Sequence, residues 1–286
     1  MVTPFGPDGS IDFDVAGELA KFLVEQGSDG LVIAGSTGEG TSLTDDEKLS
    51  LFSCVAQSVT VPVLAGSTSS NTAHSVALTS QVAKTGVAGV LATTPAYSRP
   101  SQNGIAAHLG AVADSTELPV MLYDIPSRTG RKIASSTTID LVRGHSNIVA
   151  LKDASADLVS AAHTKAVLGD ELDLYSGDDG LLLQFMAVGG VGVVSVAAHW
   201  AGPEFAGIVR SVEVGDWPKA RILNERVHAS CAFESTESYP NPMPSKAAMR
   251  FLGFAVGQCR FPLGPGDETL DEAAAHTVTS LRAQRG

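Results

Sequence analysis

The feature that most constrains the fold is a series of short, continuous apolar runs separated by helix patterns. The runs lie at residues 30–34, 61–66, 89–93, 118–123, 147–153, 172–176 and 191–196. Strands that are apolar without alternation are buried on both faces, as in a parallel sheet covered by helices. Together with a strand stub at 3–5, the chain has about eight strand–helix units, which predicts a (β/α)8 TIM barrel of the α/β class.

An open, doubly wound sheet that binds a nucleotide is the alternative arrangement of such units. It would place Gly-x-Gly-x-x-Gly directly after its first strand, and the sequence lacks that motif there. The glycines at 189–192 precede a strand instead of opening a helix. We therefore interpret them as turn residues.

Capping residues mark where the first helices begin. Asp12 predicts a helix that ends before Gly27, and Asn71 predicts another helix start. Thr44, with Glu47 three residues later, forms a capping-box pattern.

The pattern changes after Ala197, where only helices follow. They are predicted at 203–214, 217–233, 244–256 and 268–282. We expect a barrel at 1–200, with its first strand apparently truncated, and a helical carboxyl-terminal extension at 201–286.

Composition excludes several classes of function. The net charge is −12 with no Lys/Arg cluster, which argues against nucleic-acid binding. No apolar run approaches the roughly 20 residues that span a bilayer, and there is no secretory signal pattern. The three cysteines are isolated from one another, which suits a reducing cytoplasm, and no pair of histidines has metal-ligand spacing.

Four polar groups follow predicted strands, where a barrel carries its active site. Lys152 ends the strand at 147–153, and a partly dehydrated lysine can attack a ketone to form a Schiff base. Taken alone, it is more simply a solvated charge at a strand end. Tyr123 could be a rim aromatic and Arg128 a surface charge, and Ser36 with Thr37 could be turn hydroxyls. Their convergence on one rim instead indicates a keto-acid site.

Six motifs in order resemble one family. They are GSTGE at 35–39, TPAYSRPS at 94–101, YDIPSRTG at 123–130, LKDAS at 151–155, SGDD at 176–179 and NPMP at 241–244. Together they resemble the dihydrodipicolinate synthase and N-acetylneuraminate lyase family of pyruvate-dependent class I aldolases. The resemblance covers nearly the whole chain and implies a (β/α)8 barrel with a helical tail.

The resemblance also implies a mechanism without a metal or external cofactor. Lys152 would form the covalent imine with pyruvate, and Tyr123 would pass protons. Thr37 and Ser36 would supply the hydroxyl relay and the site for the pyruvate carboxylate. No metal is needed because the protonated imine polarises the substrate.

Further residues complete the implied site. Tyr97 matches the tyrosine that reaches into a neighbouring subunit, which implies a homotetramer built as a dimer of dimers. Arg128 would hold the carboxylate of L-aspartate-4-semialdehyde. Gly177 and Val194 match positions whose backbone lies near the site.

The acceptor aldehyde is the finer question. Arg128 favours condensation of pyruvate with L-aspartate-4-semialdehyde to 4-hydroxy-tetrahydrodipicolinate, in lysine and diaminopimelate biosynthesis. Ser36 is more similar to the lyases, so an aldolase acting on N-acetylneuraminate or a 2-keto-3-deoxy sugar acid is the alternative. A non-catalytic keto-acid-binding paralogue is the alternative from another class.

Two further expectations follow from departures from the family pattern. His74 stands where an acidic ligand for the amine of an inhibitory lysine would be expected, and Lys48 adds positive charge, so we predict no inhibition by L-lysine. The chain also starts within the first family strand, and we expect a misassigned start at Met1.

Overall fold

The computed structural model describes residues 1–285, and its strands are the apolar runs of the sequence. Strands β1 to β7 span Leu31–Ile33, Val63–Gly66, Gly89–Thr93, Val120–Asp124, Ile148–Asp153, Asp173–Ser176 and Gly192–Val193. They follow one another in chain order in one sheet, and β2 to β7 pair in parallel. The expected stub at 3–5 is not a strand, since within the described chain Phe5 forms an isolated antiparallel bridge with Ile11.

Twelve α-helices lie within residues 1–285. Helices α1 to α12 span Phe13–Glu25, Asp45–Ser58, Thr72–Val82, Gln102–Asp114, Pro126–Thr129, Ser135–Gly144, Leu158–Leu168, Leu182–Ala187, Ala198–Glu213, Trp217–Phe233, Met243–Phe251 and Glu268–Ala283. Two of the predicted boundaries are wrong. Helix α9 begins before Pro203, with a non-helical residue at Ala201 where the proline interrupts the helix, and α11 ends at Phe251 rather than at 256.

The predicted caps are confirmed. Asp12 accepts a hydrogen bond from the N–H of Val15 at 3.0 Å, and Asn71 caps α3 in the same way. At α2, the Thr44 hydroxyl accepts from the Glu47 N–H while the Glu47 carboxylate accepts from the Thr44 N–H. These side chains satisfy helix N–H groups that have no partner within the first turn.

Two compact units divide the chain, and the first contains Met1–Val63 and the residues from Val196 onward. Its core includes Leu19, Phe52 and Ile208, each fully buried. The N–H of Leu31 donates to the carbonyl of Pro62, which places β1 beside the start of β2. Because this unit combines the first residues with the carboxyl-terminal helices, the expected division near residue 200 stays a prediction.

The second unit, Leu64–Ser195, contains the parallel strands β3 to β7. Val90, Leu91 and Ala92 of β3 are buried, as are all five residues of β4, so the strands are covered on both faces. No helix in the part of the chain up to Arg285 is both long enough and apolar enough to cross a membrane.

Candidate active site

Strand register places Lys152 and Tyr123 side by side at the carboxyl ends of β5 and β4. Their Cα atoms are register partners across the parallel pair, and both side chains are buried. The Nζ atom of Lys152 lies 4.2 Å from the centroid of the Tyr123 ring. The predicted nucleophile and the predicted phenol therefore meet within one unit.

The same register row continues on the far side of Lys152. Tyr175 of β6 pairs with Lys152, and Gly192 of β7 pairs with Tyr175. Residues in register on parallel strands project from the same face of a sheet. Sequence reasoning placed Tyr175 only within a strand, although its position one strand from Lys152 could have marked it as a neighbour of the amine.

Gly177 and Val194 lie beside this row, and their role in a site stays a prediction. The N–H of Gly177 donates to the carbonyl of Asp153 at 2.7 Å, and the N–H of Val194 donates to the carbonyl of Ser176 at 2.9 Å. A Cβ atom on Gly177 would lie 3.1 Å from Cγ of Lys152 and 2.8 Å from Cβ of Ala154. Glycine at this position therefore leaves room for the lysine side chain.

Arg128 lies in the short helix α5, which follows β4. Pro126 opens this helix, and Gly130 ends it with a positive φ of 79°. The Thr129 hydroxyl donates to the carbonyl of Ile125 at 3.1 Å, which fixes the turn around Arg128. The Arg128 side chain is exposed.

Tyr97 projects from the loop after β3. Its side chain is 97% exposed, and its φ of 69° lies in the left-handed region that non-glycine residues rarely adopt. The Ser70 hydroxyl donates to the carbonyl of Ala96 at 3.1 Å, which holds the preceding peptide in place. This exposure agrees with a residue that extends away from its own subunit, and the role of Tyr97 stays a prediction.

Two reciprocal contacts connect the Tyr97 loop to the segment after Arg128. The Arg99 Nε–H donates to the carbonyl of Gly130 at 2.9 Å, and Arg131 donates to the carbonyl of Arg99 at 3.3 Å. Together with Lys132, these arginines line an open depression of about 590 Å³. Three basic side chains therefore line one depression in a chain whose net charge is −12.

Ser36 and Thr37 lie in the first unit, on a tight loop after β1. The loop folds back on Ala34, since a Cβ atom on Gly40 would lie 2.0 Å from the carbonyl oxygen of Ala34. Both hydroxyl residues are half-buried. The Thr37 Oγ1 atom accepts a hydrogen bond from Nδ2 of Asn241 at 2.9 Å.

A buried ion pair fixes the same loop two residues after Thr37. Glu39 and Lys246 are both buried, and their Oε1 and Nζ atoms are 2.7 Å apart. The other Glu39 oxygen accepts from the N–H of Arg260 at 2.8 Å. The Lys246 ammonium also lies 4.0 Å from the centroid of the Phe5 ring.

Comparison with known proteins identifies the family. The model of the dihydrodipicolinate synthetase family matches residues 1–281. This chain belongs to that family. The predicted family is therefore confirmed.

Curated members of the dihydrodipicolinate synthetase family are similar along nearly the whole chain. The 4-hydroxy-tetrahydrodipicolinate synthase of Parasynechococcus marenigrum is 41% identical over 99% of this chain and 93% of its own length. The synthase of Bacillus subtilis is 38% identical, covering 98% of this chain and 97% of its own length.

Solved structures of the family have the same fold. A dihydrodipicolinate synthase from Bacillus anthracis aligns with a TM-score of 0.94 at 38% identity, covering 98% of this chain and 96% of that chain. A lysine-bound synthase from Cyanidioschyzon merolae aligns with a TM-score of 0.95 at 38% identity, covering 99% and 96%. The predicted (β/α)8 fold class with carboxyl-terminal helices is confirmed.

Sequence reasoning missed two buried carboxyls in this family member. Asp124 and Asp153 follow Tyr123 and Lys152 on adjacent strands and are themselves register partners. Burial raises the pKa of Asp124 to about 7, against a hydrogen bond from the N–H of Ile133 that lowers it. Burial also raises the pKa of Asp153. Since alternate residues of a strand face opposite ways, these carboxyls lie on the other face from the tyrosine and the lysine.

Sequence reasoning also missed that Asn241 and Lys246 contact the loop that carries Thr37 and Glu39. The sequence showed Asn241 only as part of the NPMP motif, and Lys246 only as a residue of a predicted helix. Their partners in the loop are about 200 residues earlier in the chain. The available signal is a lysine among the small residues Ser245, Ala247 and Ala248 of α11, and an asparagine two residues before that helix.

Proposed function

We propose that this protein condenses pyruvate with L-aspartate-4-semialdehyde to form 4-hydroxy-tetrahydrodipicolinate. The observation that supports it most strongly is the pairing of buried Lys152 with buried Tyr123 at the ends of adjacent strands. Relatives about 40% identical over nearly the full length carry the name of this synthase, which confirms the predicted enzyme class.

Lys152 is the proposed nucleophile. Its neutral amine attacks the ketone carbon of pyruvate, and loss of water leaves an imine between Nζ and that carbon. The protonated imine withdraws electrons from the methyl carbon, so a methyl proton leaves and an enamine forms. The enamine carbon then attacks the aldehyde carbon, and the aldehyde oxygen takes up a proton. The amino group of the condensed chain attacks the imine carbon, which closes the ring and displaces Nζ of Lys152 as the free amine.

Tyr123 is the proposed proton carrier for these steps. Imine formation needs a proton on the departing hydroxyl, and the attacked aldehyde oxygen needs a proton as the carbon–carbon bond forms. A phenol next to the amine can donate and recover such a proton. The distance of 4.2 Å from Nζ of Lys152 to the centroid of the Tyr123 ring supports this role.

The remaining predicted residues bind the two carboxylates. Ser36 and Thr37 are proposed to donate hydroxyl hydrogen bonds to pyruvate, with Gly177 and Val194 contributing backbone near Lys152. Arg128 is proposed to hold the carboxylate of the aldehyde substrate, since a guanidinium matches a carboxylate bidentately. Tyr97 of a second subunit is proposed to complete the site in a homotetramer, and a cytoplasmic location stays a prediction.

The test uses the rate of pyruvate consumption with L-aspartate-4-semialdehyde. We expect kcat/KM of about 10⁴ M⁻¹s⁻¹ or more for the wild-type protein, as for ordinary enzymes. Lys152→Ala should abolish both turnover and borohydride trapping of pyruvate, seen as a mass increase. Lys84→Ala, at an exposed lysine, is the matched control and should behave as wild type.

Two outcomes would redirect the proposal. If borohydride traps pyruvate on Lys152 but the semialdehyde is not consumed, the acceptor is wrong and sugar-acid aldolase activity should be assayed. If no pyruvate is trapped on the wild-type protein, the Schiff-base mechanism itself is refuted.

A further inference from the structure

Asn241 is a buried polar residue in direct contact with a proposed substrate-binding hydroxyl. Its side chain is 6% exposed, and its Nδ2 atom donates to Oγ1 of Thr37 at 2.9 Å. It stands just before α11, in the segment that joins α10 to α11. The proposed mechanism gives Asn241 no role.

The contacts around Asn241 set which end of its amide faces Thr37. The Ser245 hydroxyl lies 3.5 Å from Oδ1 of Asn241 and donates to it, so the oxygen side is directed toward α11. The N–H of Asn241 donates to the Ser235 hydroxyl at 3.2 Å, which fixes the backbone. The amide nitrogen is therefore the group presented to Thr37.

The direction of this hydrogen bond determines what Thr37 can do. A hydroxyl has a single hydrogen and an oxygen that can accept. When the oxygen accepts from an amide N–H, the hydroxyl hydrogen is left for another acceptor. Hydrogen bonds in such a chain polarise one another, and one that ends on a charged acceptor is stronger than a neutral one.

We propose that Asn241 is a positioning residue that makes Thr37 a hydrogen-bond donor to the carboxylate of pyruvate. The inference rests on the proposed function, in which Thr37 binds that carboxylate. Asn241 does not touch the substrate in this scheme. It fixes the rotation of a hydroxyl that would otherwise turn freely.

The backbone around Thr37 is fixed by a different residue, in the helix that follows Asn241. Lys246 of α11 pairs with Glu39 and thereby secures the loop. Removing the Asn241 amide therefore leaves this anchor of the loop in place. The expected defect is in the orientation of one hydroxyl rather than in the fold of the loop.

The test is a double-mutant cycle read on pyruvate binding and on turnover. For Asn241→Ala we expect the pyruvate KM to rise about 10-fold while kcat changes less, because a charge-assisted hydrogen bond loses its orientation. In a Thr37→Val background the same substitution should change KM by less than about twofold, because the hydroxyl on which it acts is absent.

Asn241→Asp separates positioning from packing. The aspartate has the same shape but accepts a hydrogen bond, so it would take the Thr37 hydrogen away from the substrate and repel the carboxylate. We expect its pyruvate KM to be at least as high as that of Asn241→Ala, with a melting temperature closer to wild type. Asn224→Ala on α10 is the matched control and should keep the wild-type KM.

Three results would overturn the inference. They are an equal effect of Asn241→Ala with and without the Thr37 hydroxyl, a wild-type KM in Asn241→Asp, and a loss confined to kcat. Borohydride trapping with pyruvate alone separates this failure from that of the proposed function. If the wild-type protein traps pyruvate and Asn241→Ala traps it at the same half-saturating concentration, only the role of Asn241 is refuted. If the wild-type protein traps none, both are refuted.

Discussion

Removing the charge of one member of the Glu39–Lys246 ion pair should lower the free energy of unfolding. In Lys246→Met, the side chain keeps its apolar stem but loses the charge that faces Glu39 and lies over the Phe5 ring. Glu39 keeps one hydrogen bond, from the N–H of Arg260. Its other oxygen is left in a site where the residue is 3% exposed.

The size of the expected loss of stability follows from the burial of both residues. Burial by itself lowers the pKa of Lys246, and the carboxylate of Glu39 opposes that effect, so each charge depends on the other. Removing one member of a buried pair costs about 3–5 kcal/mol, whereas replacing both members is often nearly neutral. At roughly 2–4 °C per kcal/mol for a chain of this size class, Lys246→Met should melt about 10 °C lower.

The assay is thermal unfolding at one protein concentration, since assembly would make the melting temperature depend on concentration. Glu39→Gln combined with Lys246→Met should recover more than half of the loss, because no unpaired charge remains. Lys84→Met makes the same substitution at an exposed lysine and should melt as wild type. A loss below about 1 kcal/mol in Lys246→Met, or a double variant worse than either single one, would refute the reasoning.

Three further predictions concern the pH dependence of stability, the space around the Lys152 side chain, and inhibition by L-lysine. Because burial raises the pKa of Asp124 from 3.8 to about 7, the folded state holds a proton that the unfolded chain releases, so stability should fall as pH rises between these values. Asp124→Asn should flatten this fall in melting temperature, and an equal fall in both proteins would contradict the assignment. Gly177→Ala should slow borohydride trapping of pyruvate because its Cβ would press on Lys152, whereas Gly144→Ala, with open space around it, should trap at the wild-type rate. L-lysine should not inhibit turnover, and inhibition at sub-millimolar lysine would show that prediction to be wrong.

The strands could be predicted from sequence because their signal is local. Runs such as those at 89–93 and 147–153 are apolar over the length of a buried strand, and their predicted positions agree with β3 and β5. The sequence signals for helix caps are also local, as in the capping box of Thr44 and Glu47. The start of α9 was missed because Pro203 lies inside a helix that continues across an irregular residue, and a proline ordinarily indicates a helix start.

The candidate site could be predicted where strand ends carry the chemistry. Tyr123 and Lys152 end consecutive strands, and parallel pairing in register is sufficient to bring them together. Helix α5 around Arg128 could not be predicted because a four-residue helix has too few residues to show periodicity. The raised pKa of Asp124 depends on burial and on the charge of Asp153 in the next strand, which no local pattern reveals.

Two of the residues that sequence reasoning missed, Asn241 and Lys246, contact the loop after β1. Lys152 and Tyr123 are fixed by strand register, so they need little beyond the sheet itself. Thr37 lies on a loop with no regular structure, and such a loop gains its precision from contacts with distant side chains. In this chain those contacts come from α11 and the residues just before it, through Asn241 to the hydroxyl and through Lys246 to Glu39. Consequently, a substitution of Asn241 should change how a hydroxyl far away in sequence binds its ligand, although neither Asn241 nor any residue of α11 is proposed to react.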